Sequence, residues 1–232
     1  MQDELCLRLR SVAELVRQGA VLADIGTDHA YLPLFLLSEG KIARAICSDV
    51  NEGPLASARA NAESLGYAGK ITFLLTDGLA GVVAHAPTDI SICGMGGELI
   101  ARILADAPEA HCAGLRFLLQ PMSRQEHLRE SLARMGFCVL RDVYSLEGDK
   151  PYVAMLCEFE GTPRQIDAAE GLLGTRHKTP DAPMSVAERQ YLLKKEAALL
   201  RRKNGRTAGG EATEDEDALL AVLECILHKK EL

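Results

Sequence analysis

The segment "LADIGTDHAYLP", Leu22–Pro33, sets the fold question for this chain. An apolar run ends in Asp24, Gly26, Asp28 and His29, a dense cluster of polarity for the tip of a buried strand. Either it is a strand-to-helix turn with Asp28 as the helix cap, or it is the floor of a small-molecule site.

The same texture repeats outward from that segment. "AVLADI", "ARAICSDV", "ITFLLTD", "TDISICGM" and "LRFLLQP" are short runs, apolar on both faces and separated by helix-length segments. That is the signature of a parallel sheet covered on both sides. "FCVLRDVYSL" and "YVAMLCEFE" are joined only by "EGDKP" and read as an antiparallel pair, which makes a mixed α/β sheet of seven strands. The linkers read as helices. "EGPLASARANAESLG" puts Leu55, Ala58, Ala62 and Leu65 on one stripe and stops at Gly66, and "SRQEHLRESLARMG" runs from a Ser123 cap to Gly136. An amphipathic helix over about 3–17 precedes the first strand.

After "GTPRQ" the pattern is helical only, which divides the chain into residues 1–162 and a C-terminal part, 163–232. Val186, Leu193, Ala197 and Leu200 are expected to form one ridge, with Leu192 and Leu199 beside it. "NGRTAGG" breaks the chain, and "TEDE" opens a helix carrying Leu219, Leu223 and Ile226, with Thr213 and Glu216 at capping-box spacing and Lys229 and Lys230 at its end. These ridges are too short for an autonomous coiled coil and predict an antiparallel helical hairpin.

At 232 residues and 47% hydrophobic, the chain can bury a full α/β core. It has no membrane-length apolar run, and "MQDELCLRLR" lacks a signal-peptide core, so a cytoplasmic location is expected. The seven cysteines are scattered, never as C-x-x-C, and read as reduced core residues with no metal. The net charge of −7 hides an asymmetry: residues 1–163 hold 14 Lys+Arg against 21 Asp+Glu, and residues 164–232 hold 12 against 12. From Arg176 to Arg206 nine bases face three acids.

In doubly wound sheets ligands bind beyond the carboxyl ends of the strands. There the sequence places Asp24, Gly26, Asp28 and His29, then Asp49 and Asn51, then Asp77 and Gly78, then Gly94, Met95, Gly96 and Gly97. A dinucleotide site would show G-x-G-x-x-G, whereas "GTDHAY" has one glycine, and a diphosphate would meet Asp24 and Asp28. A ligand with an ammonium and a sulfonium would be welcome. S-adenosylmethionine fits, with Asp49 accepting both ribose hydroxyls, Asp77 near the adenine amino group and Leu79 against its ring.

"LADIGTDHAYLP", "SDVNEGPLASA", "TDGL", "CGMGGELI", "LQP" and "GDKPYVAM" together resemble the TrmK family, class I methyltransferases acting on N1 of the adenine at position twenty-two of bacterial tRNA. The resemblance covers about Leu7 to Glu160, and the hairpin is similar to that family's coiled-coil domain. It implies a Rossmann-like class I fold, S-adenosylmethionine as methyl donor and tRNA as partner, in a monomer or weak dimer that needs neither metal nor membrane. It also implies that Thr27 and Val50 join Asp24, Gly26, Asp28, His29, Asp49, Asn51, Asp77, Gly78, Leu79, Gly94 and Met95 around the methyl donor. Asp28, His29 and Tyr31 would line the reacting centre. Generic class I enzymes carry more glycines in the first turn, and adenine-N6 enzymes an N-P-P-Y/F-type loop; "GTDHA" and "CGMGG" stand in those places here.

Adenine N1 already carries an in-plane lone pair, so the reaction asks for alignment and charge accommodation. N1 lies on the Watson–Crick edge, so the base must be unpaired or swung out while the RNA is held. Gly96 and Gly97 would meet the base edge, and Arg8, Arg10, Lys194, Lys195, Arg201 and Arg202 the phosphates. The acidic main part and 4% aromatic content would also suit a small-molecule or protein methyltransferase of class I, and a non-catalytic S-adenosylmethionine-binding RNA module using the hairpin is a third possibility.

Overall fold

The computed structural model describes residues 5–206 and 214–228. Seven strands, β1 (Ala20–Ile25), β2 (Ile42–Asp49), β3 (Ile71–Leu75), β4 (Asp89–Gly96), β5 (Arg116–Ser123), β6 (Phe137–Glu147) and β7 (Lys150–Phe159), form one sheet in the order β3-β2-β1-β4-β5-β7-β6. The first five run parallel, and β7 is antiparallel to both β5 and β6, as the patterning predicts. Alternate residues enter opposite cores, which is why these strands read as unbroken apolar runs: Phe117 and Leu119 pack on one face and Leu118 on the other.

One face carries α1 (Leu7–Leu15), α2 (Tyr31–Ser38) and the Ala58–Ala62 side of α3 (Glu52–Ser64). The other carries α4 (Gly97–Ala105) and α5 (Gln125–Met135), and that core continues into α6 (Ala168–Leu173), α7 (Val186–Arg206) and α8 (Glu214–Leu227) through Leu172, Tyr191, Leu192, Leu199 and Leu223. Lys203 pairs with Asp217 at 2.7 Å and Glu196 with His228 at 3.3 Å, so α7 and α8 lie antiparallel, as expected of a hairpin. Among the described residues no helix is long and apolar enough to cross a membrane.

Several local expectations need correction. Helix α1 begins at Leu7 and ends at Leu15, where Val16 turns extended. Leu65 is exposed and Leu55, Ala58 and Ala62 carry the α3 stripe alone, although the helix does end before Gly66. Ser123 is the last residue of β5 and caps nothing; α5 starts after Arg124, which sits at φ 56 without a side-chain cap. On α7 the buried stripe is Tyr191, Leu192 and Leu199, while Val186 is 73% exposed and Ala197 and Leu200 face solvent. Only Cys47 and Cys157 of the seven cysteines are buried. Thr213, Lys229 and Lys230 lie outside the described residues.

Candidate active site

The sheet order reverses between β1 and β4, and a ligand crevice belongs at the carboxyl ends of those strands. At the β1 tip Asp24 is buried; one carboxylate oxygen accepts from Thr27 Oγ1 at 2.8 Å and the other from Ser91 Oγ at 2.7 Å. Burial pushes the Asp24 carboxyl above its ordinary range, and the two hydroxyls only partly offset that. Gly26, at φ +69, places its N–H 2.8 Å from the Ser48 carbonyl, and a Cβ there would land on the Met95 methyl, so the β1 turn and the β4 tip touch.

The next residues are strained. His29 (φ 61) and Ala30 (φ 56) are consecutive non-glycine residues in the left-handed region, a conformation that gathers at functional sites. The strain lets α2 start at Tyr31 with no side-chain cap, so Asp28 does not cap the helix. Asp28, His29 and Tyr31 instead share one exposed cluster. The Asp28 side chain is 75% exposed and lies 3.2 Å from His29 Nε2, and the His29 ring stacks on Tyr31 at 5.2 Å. Asn61 Nδ2 donates to the His29 carbonyl at 3.0 Å and steadies the turn.

At the β2 tip Asp49 accepts the Asn51 N–H at 2.7 Å through one oxygen, leaving the second for a ligand, with Val50 and Asn51 exposed beside it. Past β3, Asp77 is exposed and Gly78 turns at φ +56, but Leu79 is fully packed in the core and its side chain offers no face to a ring. At the β4 tip Gly94 is exposed at φ +76, Met95 is partly buried, and Gly96 precedes α4. Gly97 is buried: a Cβ would meet the Ser123 carbonyl at 2.9 Å and the Arg124 carbonyl more closely still. It therefore serves the packing of the β4–α4 turn on the β5–α5 turn and is closed to RNA. Gly97→Ala should cost about 1–3 kcal/mol by overpacking and displace the Gly94–Gly96 turn, read out as a lower melting temperature.

The basic candidates divide. Lys194, Arg201 and Arg202 are exposed on α7. Lys195 is not free for RNA: its Nζ lies 2.6 Å from Glu126 and 3.0 Å from Gln125, fastening α7 to α5. Burial raises the Glu126 pKa, and Lys195, with a backbone hydrogen bond and Arg129, more than reverses it, leaving that carboxyl below its ordinary range. Arg176, the first base of the stripe, is buried against Glu188 at 2.7 Å. Arg10 donates to the Leu5 carbonyl at 2.9 Å, whereas Arg8 reaches the carboxyl edge of the sheet and donates to Gln120 at 2.8 Å. Ser91 and Gln120 were missed in the sequence, although a glutamine inside "FLLQP" was a signal. Burial and then Asp24 push the Cys47 and Cys93 thiols up, so neither is a thiolate nucleophile. Among the described residues no group of three or more metal-ligating side chains is found.

Asp24 also gives a pH signature. Its folded pKa lies above the unfolded value, so between the two the native state keeps a proton that the unfolded chain releases, and stability falls as pH rises through that window. Asp24→Asn should therefore melt higher than wild type at neutral pH, with the gap closing toward the unfolded pKa of 3.8. Melting curves of both proteins across pH check this; a gap that does not change with pH would refute it.

A seven-stranded sheet of this order, with a closing antiparallel pair and acids at the carboxyl tips of β1 and β2 and just past β3, is that of a Rossmann-like class I methyltransferase. The chain belongs to the methyltransferase-domain family, whose model matches residues 5–155. It is 36% identical over 155 residues to the tRNA (adenine(22)-N(1))-methyltransferase of Bacillus subtilis, a match spanning 67% of this chain and 65% of that relative's length, just under two thirds. The structure of Bacillus subtilis TrmK superposes with a TM-score of 0.80 at 26% identity, covering 97% of this chain and 99% of that one. A Streptococcus pneumoniae protein proposed to be a tRNA (m1A22) methyltransferase, solved with S-adenosyl-L-methionine, matches at a TM-score of 0.80 and 32% identity over 97% of this chain and 100% of its own. The family resemblance carried by "GTDHAYLP" and "GMGG" is borne out.

Proposed function

We propose that this chain is an S-adenosylmethionine-dependent methyltransferase that modifies N1 of adenine 22 in bacterial tRNA, in the cytoplasm. The observation that carries this is the acid at each of three adjacent strand tips, Asp24 with Asp28, Asp49 and Asp77, around a β1 turn with a single glycine. Such a crevice repels a diphosphate and suits a ligand bearing an ammonium, a sulfonium and a ribose diol. The names of the Bacillus and Streptococcus relatives support the substrate, and the ligand of the latter supports the methyl donor.

When bound, S-adenosylmethionine supplies a methyl group whose bonding pair stays on sulfur as the new bond to adenine N1 forms. Asp49 would hold the ribose and Asp77 the adenine amino group, with the Gly26, Thr27 and Gly78 backbone and Val50, Asn51 and Met95 closing around them. Adenine N1 attacks with its own lone pair, so no residue has to remove a proton first. Asp28 would offset the positive charge that moves onto the ring, His29 would orient it through their 3.2 Å contact, and the exposed Tyr31 would offer a stacking face. Residues 1–162 would carry this chemistry. The exposed Lys194, Arg201 and Arg202 of the 163–232 part, with Arg10, would hold phosphates.

The test is incubation with labelled S-adenosylmethionine and unmodified bacterial tRNA, followed by digestion to nucleosides. N1-methyladenosine should appear with adenine at position 22 and not with guanine there. Methyl-donor binding without labelling of any tRNA would overturn the substrate assignment.

A further inference from the structure

Gln120 is fully buried near the end of β5 and ties three segments together. Its side-chain oxygen accepts from Arg8 Nη1 at 2.8 Å and from the Gly94 N–H at 3.1 Å, and its nitrogen donates to the Pro121 carbonyl at 3.3 Å. Both partners of the oxygen can only donate, which fixes the orientation of the amide. The backbone N–H of Arg8 is held in turn by Glu147 at 2.9 Å. The guanidinium thus rests on the β4 tip, where a Cβ on Gly94 would lie 3.7 Å from Nη1.

Arg8 differs from the other inward-reaching arginines. Arg17 pairs with Asp89, Arg129 with Asp142 and Arg176 with Glu188, whereas Arg8 is partly buried with only a neutral amide against its side chain. Among the described residues it has no carboxylate within ion-pair distance, and its Nε and Nη2 donors are unspent. Removing a cation from water costs free energy that is ordinarily recovered from a counter-ion. A guanidinium edge with two free N–H donors matches two anionic oxygens. A crevice lined by Asp24, Asp28, Asp49 and Asp77 needs such a cation if its ligand carries an anionic end.

We infer that Arg8, positioned by Gln120, is the anion seat of this crevice. It takes a two-oxygen anion, from either the carboxylate at the amino-acid end of the methyl donor or a phosphate of the RNA. The inference rests on the methyl-transfer reading above.

Two assays on Arg8→Gln and Gln120→Glu decide it: calorimetric titration with S-adenosylmethionine alone, and tRNA methylation across a salt series. Gln120→Glu keeps the oxygen that accepts from Arg8 and Gly94 but sets a carboxylate against Arg8 and gives up the donor to the Pro121 carbonyl, so it should mimic the loss of Arg8 while its melting temperature reports the cost of the lost donor. If the anion is the carboxylate, both variants bind S-adenosylmethionine about tenfold or more weakly, and the salt slope is unchanged. If it is a phosphate, S-adenosylmethionine affinity holds, kcat/KM falls about tenfold, and the log–log salt slope shrinks by about one. A purely structural Gln120 would lower the melting temperature without either signature. Should Gln120→Glu fail to fold, Arg8→Lys serves: it keeps the charge but loses the fork, and should fall between wild type and Arg8→Gln. Wild-type values for Arg8→Gln in both assays would overturn the inference. If wild type binds S-adenosylmethionine but methylates no tRNA, the substrate reading fails separately and the calorimetry alone decides Arg8.

Discussion

Asp49→Ala is expected to weaken S-adenosylmethionine binding by about a hundredfold or more while leaving the fold intact. Asp49 ends β2 partly exposed, and its one internal hydrogen bond, from the Asn51 N–H at 2.7 Å, closes a local turn. Little packing is therefore lost. A carboxylate accepting two ribose hydroxyls makes two charge-assisted hydrogen bonds of about 1.5–3 kcal/mol each, which together correspond to roughly two to four orders of magnitude in affinity. Asp49→Asn keeps an acceptor without the charge and should fall between. Calorimetric titration gives the affinity and a melting curve checks the fold. Wild-type affinity in a folded Asp49→Ala would remove Asp49 from the site.

The largest loss of stability is expected from Asp142→Ala, remote from the crevice. Asp142 and Arg129 are buried together at 3.0 Å, with side-chain exposures of 0% and 2%. The second Asp142 oxygen accepts from the Thr175 N–H at 2.7 Å and its hydroxyl at 3.1 Å, and Arg129 Nη1 donates to the Gly171 carbonyl at 3.1 Å. Burial works against the charge of the guanidinium, and Asp142, with the Tyr191 and Tyr144 hydroxyls, more than compensates, holding the Arg129 pKa above its ordinary value. Removing the carboxylate strands that cation, at a cost of about 3–5 kcal/mol, or roughly 6–20 °C in a chain of this size. Replacing both residues by apolar ones of similar volume should recover most of the loss. Gly174→Ala should be damaging too, because its Cβ would overlap Asp142 and stand 2.6 Å from Arg129 Nη2. Thermal unfolding of the two single variants and the double variant measures this; additive losses would show that the pair is not coupled.

The sequence by itself determined the sheet, because period and polarity are local. Short runs apolar on both faces, separated by helix-length segments, are the pattern of parallel strands covered twice, and a five-residue link leaves an antiparallel return as the short path. It also named the strand tips that meet at the crevice, since topology sends their carboxyl ends to one edge.

Only the tertiary structure decided how individual side chains are used there. Helix α7 has apolar residues around much of its circumference, so its pattern does not fix its rotation; packing on β6, β7 and α8 does so, burying Tyr191, Leu192 and Leu199, with the Tyr191 ring against Tyr144, while Glu126 of α5 pairs with Lys195. Charge counting treated Arg176 and Lys195 as surface bases, whereas Glu188, 12 positions on, claims the first and Glu126, 69 positions back, the second. Gly97 looked like a ligand-facing glycine and is fixed by the carbonyls of another turn, while Leu79 belongs to the core. Arg8, read as one base on an amphipathic face, is set at the β4 tip by Gln120, 112 positions away. Composition and spacing record which chemistry is present; which partner each charge finds depends on contacts between segments far apart in the chain, and those exist only once the chain has folded.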